Sequence, residues 1–142
     1  MKNNTKLIPW WRINFSEDDI TKVSESIRNE KMSMGSVTEE FEHQMGKTLG
    51  VPYVVATSSG STALLMSMMA LGIKADDEVI IPNRTWIATA HAPMMLGAKP
   101  ILVDVLPDRP IMDTSLIEDK INSKTKAIIP VQLCGCAVNM EE

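Results

Sequence analysis

The chain has 142 residues, about one domain, and its 44% hydrophobic and 23% charged content is that of a globular protein, not a disordered or fibrous one. Its 14 basic and 18 acidic side chains leave a net charge of -4, which argues against a nucleic-acid partner, since such surfaces gather a basic excess. No apolar run exceeds four or five residues, so no membrane span is expected.

The opening Met1-Lys2-Asn3-Asn4-Thr5-Lys6 leads into no apolar signal segment, and two cysteines are too few for a disulfide framework. Both point to a cytoplasmic protein. After Pro9-Trp10-Trp11, Ser16 reads as a helix N-cap, with Glu17, Asp18 and Asp19 placing negative charge on the positive end of the helix dipole. Phe15 and Ile20 have the spacing of a hydrophobic staple, and Ile20, Val23 and Ile27 form one narrow apolar face. Ser36-Val37-Thr38-Glu39 reads as a capping box opening a second helix. That helix should bury Phe41, Met45 and Leu49 and end at a left-handed Gly50.

Three helix endings share one signature: Leu49-Gly50-Val51, Leu71-Gly72-Ile73 and Leu96-Gly97-Ala98. Each precedes a short apolar run, at Tyr53–Ala56, Val79–Ile81 and Ile101–Val103, and a fourth run covers Ala127–Val131. The runs are continuous, not alternating, as strands buried on both faces should be. The glycines stand 22 and then 25 residues apart, room for a turn, a strand and a helix. The predicted fold class is therefore α/β, a mainly parallel sheet flanked by helices.

Two of the helices are apolar nearly all round, one through Ala63–Leu71 and one through Trp86–Leu96. Such helices are expected to be buried on several sides, inside an assembly larger than 142 residues. Pro93 should kink the second near Thr89. Asn139-Met140-Glu141-Glu142 reads as an N-cap and an acidic first turn, so the chain is expected to be the front part of a longer protein.

The richest candidate site is Thr57-Ser58-Ser59-Gly60-Ser61-Thr62, between an apolar run and a helix start. Free backbone N–H groups and the helix dipole favour an anion there, Gly60 permits close approach, and Ser61 and Thr62 add hydroxyls. A phosphate is the natural ligand, and an ordinary N-cap accounts for the same residues. The segment is not a Walker loop, a three-glycine dinucleotide fingerprint or a nucleophile elbow. Trp86 is the second candidate, following a strand at the carboxyl edge where open α/β sheets bind ligands. It is suited to stacking on a planar cofactor, and equally to a place in a core.

Several stretches together resemble the DegT/DnrJ/StrS sugar aminotransferases. They are Ser59-Gly60-Ser61-Thr62-Ala63-Leu64, Gly72-Ile73 through Asp77-Glu78-Val79-Ile80-Ile81-Pro82, and Thr85-Trp86-Ile87-Ala88-Thr89-Ala90. Gly97-Ala98-Lys99-Pro100 through Val103-Asp104-Val105 and Thr125-Lys126-Ala127-Ile128-Ile129-Pro130-Val131 continue the match, with Ile8-Pro9 and Phe41-Glu42 at the front. The resemblance implies the PLP-dependent (pyridoxal 5′-phosphate) transferase fold type I, the aspartate aminotransferase-like large domain. Residues 1–142 would be its N-terminal portion, the remainder being absent. It further implies an amino transfer, usually from glutamate, onto a nucleotide-linked keto-sugar, in a homodimer. Gly60, Ser61 and Thr62 would hold the PLP phosphate and Trp86 would stack on the pyridine ring. The family's Schiff-base lysine is expected beyond residue 142, as is the aspartate that pairs with the pyridine nitrogen. Gln132 and Cys134 depart from the His and aromatic residue common near this strand end, which bears on sugar specificity.

Lys74, Lys99 and Lys126 lie in turns or strand starts and read as solvated charges. Cys134-Gly135-Cys136 is too closely spaced for a usual zinc pair, and only His43 and His91, on helices, could complete one; no metal is expected. Asp104 is functional or turn-forming, and Asp113 caps a helix that buries Ile117 and Ile121. The rival to the enzyme is a non-catalytic truncated paralogue that binds phosphate or PLP or serves in dimerisation. A receiver-like signalling domain is disfavoured, because no acidic cluster accompanies Asp104.

Overall fold

The computed structural model describes Pro9 and residues 11–141. Ile8, Trp10 and Glu142 of the motifs above lie outside the described residues, as does the N-terminal stretch. The chain forms two compact units, one up to Ala56 and one from Thr57.

The first unit carries α1 (Glu17–Arg28) and α2 (Ser36–Leu49). Ser16 caps α1 as expected: its hydroxyl accepts the Asp19 N–H at 3.2 Å, while the Asp19 carboxylate accepts the Ser16 N–H at 2.9 Å. That backbone bond, helped by the Ser16 hydroxyl, holds the Asp19 carboxyl below its ordinary range. At α2 the expected capping box is absent. The helix starts one residue early, with Gly35 at the N-cap and no side-chain cap. Glu39 therefore sits one position too far along to reach back. Gly50 closes α2 in the left-handed conformation at φ 67°.

Neither helix buries a residue, and Phe15, Ile20, Val23, Ile27, Phe41 and Leu49 are all exposed. The buried face expected for α2 is not covered, because the unit supplies two helices and coil with no sheet to pack on. The strand expected at Tyr53–Ala56 does not form either. The segment has no strand structure, Tyr53 is 89% exposed, and the Ala56 N–H donates instead to the Glu42 carboxylate at 2.7 Å.

The second unit runs α3 (Gly60–Ala70), β1 (Glu78–Pro82), α4 (Ala88–Met95), β2 (Lys99–Val103) and β3 (Thr125–Ile128). The strands form a parallel sheet in the order β2-β1-β3, with Pro82 opposite Val103 and Ile80 opposite Ile128. Successive side chains of β1 serve opposite faces. Val79 and Ile81 pack with Met68 of α3 and Ala92 of α4 on one side; Ile80 packs with Val103 and Met112 on the other. The α/β class and the parallel sheet flanked by helices thus stand. Only the central strand is buried on both faces, however, contrary to the expectation for every run. β2 and β3 are edges, leaving Leu102 and Ile128 exposed.

Gly72 (φ 72°) and Gly97 (φ 79°) end α3 and α4 as the shared signature predicts. These helices are not buried on several sides within this chain. α3 buries Met68 while Met66 and Met69 stay exposed; α4 buries Ala88, Thr89, Ala92 and Pro93 while Met94 and Met95 stay exposed. Each has one sheet face to cover and no second neighbour for its outer side. His91, expected on a buried helix, is exposed.

Asp113 does cap a helical segment, its carboxylate accepting the Ser115 N–H at 3.1 Å and hydroxyl at 2.6 Å. The segment is two single 3₁₀ turns (Thr114–Leu116 and Glu118–Lys120), leaving Ile117 partly buried and Ile121 exposed. Among the described residues no helix is long and apolar enough to cross a membrane.

With two open strand edges and wide apolar helix faces, the 142-residue chain by itself should be molten or aggregate. It should bind a hydrophobic dye strongly and lose its helical circular dichroism over a broad range. A sharp cooperative melt of a dye-free monomer would contradict this.

Candidate functional site

The helix α3 begins where the serine-rich segment ends. Ser59 is its N-cap: extended at φ -164° and ψ 161°, it accepts the Thr62 N–H on its hydroxyl at 3.2 Å. The cap is therefore Ser59, and the next two residues take no part in it. Gly60 and Ser61 occupy the first two helical positions, whose N–H groups have no carbonyl within the helix. Among the described residues nothing engages the Ser61 hydroxyl, whereas Thr62 Oγ1 lies 3.1 Å from Ser59 Oγ and 3.3 Å from Ser58 Oγ. Thr57 stiffens the approach by donating its hydroxyl to the Ser59 carbonyl at 2.9 Å.

Gly60 adopts no positive φ, and a Cβ built on it meets nothing within 4 Å. Neither the backbone nor a neighbour requires glycine here. The space around its missing side chain is open, and a Cβ at the first helical position tilts toward the helix N-terminus.

Trp86 is 76% exposed and sits between β1 and α4, with its carbonyl accepting the Thr89 N–H at 3.0 Å. It is not part of the core formed by the described residues. α4 leads from the carboxyl end of β1 back to the start of β2, which puts Trp86 at the carboxyl edge of the sheet. α3 leads into β1 in the same way and packs beside α4.

The remaining candidates fall elsewhere. Lys74, Lys99 and Lys126 are exposed, as solvated charges should be. Asp104 follows β2, and its carboxylate accepts the Asn83 side-chain amide instead of shaping the turn before Pro107. That pairing was not foreseen, although an Asn and an Asp directly after adjacent parallel strands were its signal. Gln132 turns inward on its own loop, accepting the Val138 N–H at 2.6 Å, and Cys134 is exposed with φ 56°. A groove of about 510 Å³ lined by Met112, Ile117, Ile121, Ile128, Val138 and Met140 contains none of Gly60, Ser61, Thr62 or Trp86. Its lining is mainly apolar, without converging charged groups beyond Glu118.

These features describe a parallel α/β protein whose α3 start leaves two N–H groups and the Ser61 hydroxyl uncapped, with an exposed indole after β1. The sequence profile of the DegT/DnrJ/EryC1/StrS aminotransferase family matches residues 14–142, and the chain belongs to that family. It is 33% identical over 138 residues to the UDP-4-amino-4-deoxy-L-arabinose–oxoglutarate aminotransferase of Shewanella sediminis, covering 97% of this chain and 36% of that protein. Among solved structures, Streptococcus pneumoniae Spr1654 in its PLP, PMP (pyridoxamine phosphate) and apo forms aligns with TM-score 0.89 at 33% identity, over 94% of this chain and 34% of that one. Bacillus subtilis NtdA with bound PMP aligns with TM-score 0.83 at 37% identity, over 88% and 29%. The chain thus spans about a third of the length of the relatives it matches. The family is PLP-dependent, and the Shewanella sediminis and Streptococcus pneumoniae relatives are named as sugar aminotransferases.

Proposed function

We propose that this chain supplies the phosphate-binding turn and the ring-stacking tryptophan of a PLP-dependent aminotransferase. Its substrate class is a nucleotide-linked keto-sugar, and glutamate is the amino donor. The observation that carries the reading is the division of labour at α3: Ser59 takes the cap, leaving the N–H groups of Gly60 and Ser61 and the Ser61 hydroxyl toward open space. The UDP-linked sugar and oxoglutarate in the name of the Shewanella sediminis relative support the substrate pair.

When bound, PLP supplies the electron sink through which an amino group leaves one substrate and enters another. This chain's own contribution is to bind and orient. The two free N–H groups and the positive end of the α3 dipole, worth about 0.3–1 kcal/mol when exposed and more when partly buried, attract the phosphate dianion. The Ser61 hydroxyl adds a donor to a charged acceptor. Thr62, its hydroxyl held against Ser58 and Ser59, keeps the turn in shape and offers a further donor. Trp86 covers one face of the ring. Exposed apolar faces on α3 and α4 support a homodimer, and two free cysteines support a cytoplasmic setting. Lys74, Lys99 and Lys126 stand in solvent on turns and strand starts and are given no part in anchoring the cofactor.

Three results test this. Residues 1–142 alone should turn over no glutamate with a nucleotide keto-sugar, whereas a chain extended to the length of its relatives should. Borohydride reduction of the short chain with PLP should give no stoichiometric adduct at a single lysine; such an adduct with turnover would overturn the assignment. In the extended protein, Trp86→Ala should weaken PLP and pyridoxal alike, by about 1–3 kcal/mol, the size of base–aromatic stacks. If PLP binding without turnover persists in the extended protein, the non-catalytic reading takes over.

A further inference from the structure

The loop from Asn83 to Ile87 joins β1 to α4 and carries Trp86. It is tied at both ends. At the strand end, the Asn83 N–H donates to the Val103 carbonyl at 2.8 Å, and the Asn83 side-chain amide donates to the Asp104 carboxylate. At the helix end, the Thr85 and Thr89 hydroxyls lie 3.0 Å apart, with Thr89 buried. Asp104 is itself fixed to the core. Its carbonyl accepts the Asp113 N–H at 2.9 Å, and the next residue, Val105, bridges to buried Met112.

An indole as exposed as that of Trp86 has little packing to set its direction, so the backbone beneath it must. A hydrogen bond to an ionised acceptor is stronger than one between neutral groups, and a loop ordered before binding avoids the ordering cost during it. We infer that Asp104 is a positioning residue: by holding Asn83 it sets the loop that presents Trp86 to the ring of a bound pyridoxal cofactor. The inference rests on the stacking role given to Trp86 above. Asp104 itself touches neither cofactor nor substrate.

The test is equilibrium titration of the extended protein with PLP and with pyridoxal, in the wild-type and Trp86→Ala backgrounds. Asp104→Ala and Asn83→Ala should each weaken both ligands alike, by about 2- to 12-fold, since the bond is exposed and acts on the ligand only through Trp86. Neither should weaken them further once Trp86 is alanine. Asp104→Asn keeps an acceptor oxygen for Asn83 without the charge and should recover most of both affinities. In 5-fluorotryptophan protein without cofactor, the Trp86 fluorine line should split or broaden in Asp104→Ala and return to one line in Asp104→Asn. A loss that persists undiminished without Trp86, an unchanged fluorine line, or an effect on PLP but not pyridoxal would overturn the inference. If Asp104→Ala does not fold, Asn83→Ala breaks the same bond from the other side. Should Trp86→Ala alone leave both affinities unchanged, the stacking role fails and the inference with it. If Trp86→Ala weakens binding while Asp104→Ala does not, only the positioning role is lost.

Discussion

Gly97→Ala should destabilise the extended protein by about 2–5 kcal/mol, read as a lowered urea midpoint at constant slope. Gly97 holds φ 79°, and a left-handed non-glycine residue costs about 1–2 kcal/mol. Its new Cβ would also lie 3.1 Å from the Ala75 Cβ and 3.2 Å from the Ala75 Cα. Backbone cannot move aside as a flexible side chain can, and overpacking of this kind adds about 1–3 kcal/mol. Two companion substitutions separate the terms. Gly72→Ala, at φ 72° with open space around it, should lose only the conformational part, about 1–2 kcal/mol. Gly60→Ala, with neither a positive φ nor a neighbour, should cost the fold almost nothing. Equal losses at Gly72 and Gly97 would mean that contact with Ala75 is relieved at no cost.

The indifference of the fold to Gly60 makes the second large effect clean. Gly60→Val should leave the urea midpoint nearly unchanged yet block PLP, because the added methyls enter the space beside the free N–H groups. Ser61→Ala should weaken PLP by about 1.5–3 kcal/mol, roughly 10- to 150-fold, the worth of a hydrogen bond to a charged group. The pattern across ligands matters more than the size. Ser61→Ala should weaken PLP far more than pyridoxal, which has no phosphate, whereas Trp86→Ala should weaken both. Ser59 is the control: Ser59→Ala removes the α3 cap and should lower stability by about 0.5–2 kcal/mol. Equal losses of PLP and pyridoxal in Ser61→Ala would remove the phosphate contact from the proposal.

What the sequence determined by itself was whatever depends on neighbours along the chain. The Ser16 cap, the left-handed glycines after α2, α3 and α4, and the apolar run of β1 are decided within a few residues. A cap needs only an oxygen three positions from an N–H, and an αL terminus needs only a missing Cβ. The turn at Gly60 was legible for the same reason, as was its resemblance to a family. Pairing and burial were decided elsewhere. Tyr53–Ala56 has the composition of a strand but no partner for its N–H groups, so Glu42 takes the last of them. Phe41 and Leu49 have helical spacing but no surface to meet. The tertiary structure alone separated Ser59 as cap from Ser61 as free donor, since both are serines at a helix start and only the helix boundary tells them apart. It alone joined Asn83 to Asp104, 21 residues apart in sequence, because two parallel strands in register end side by side.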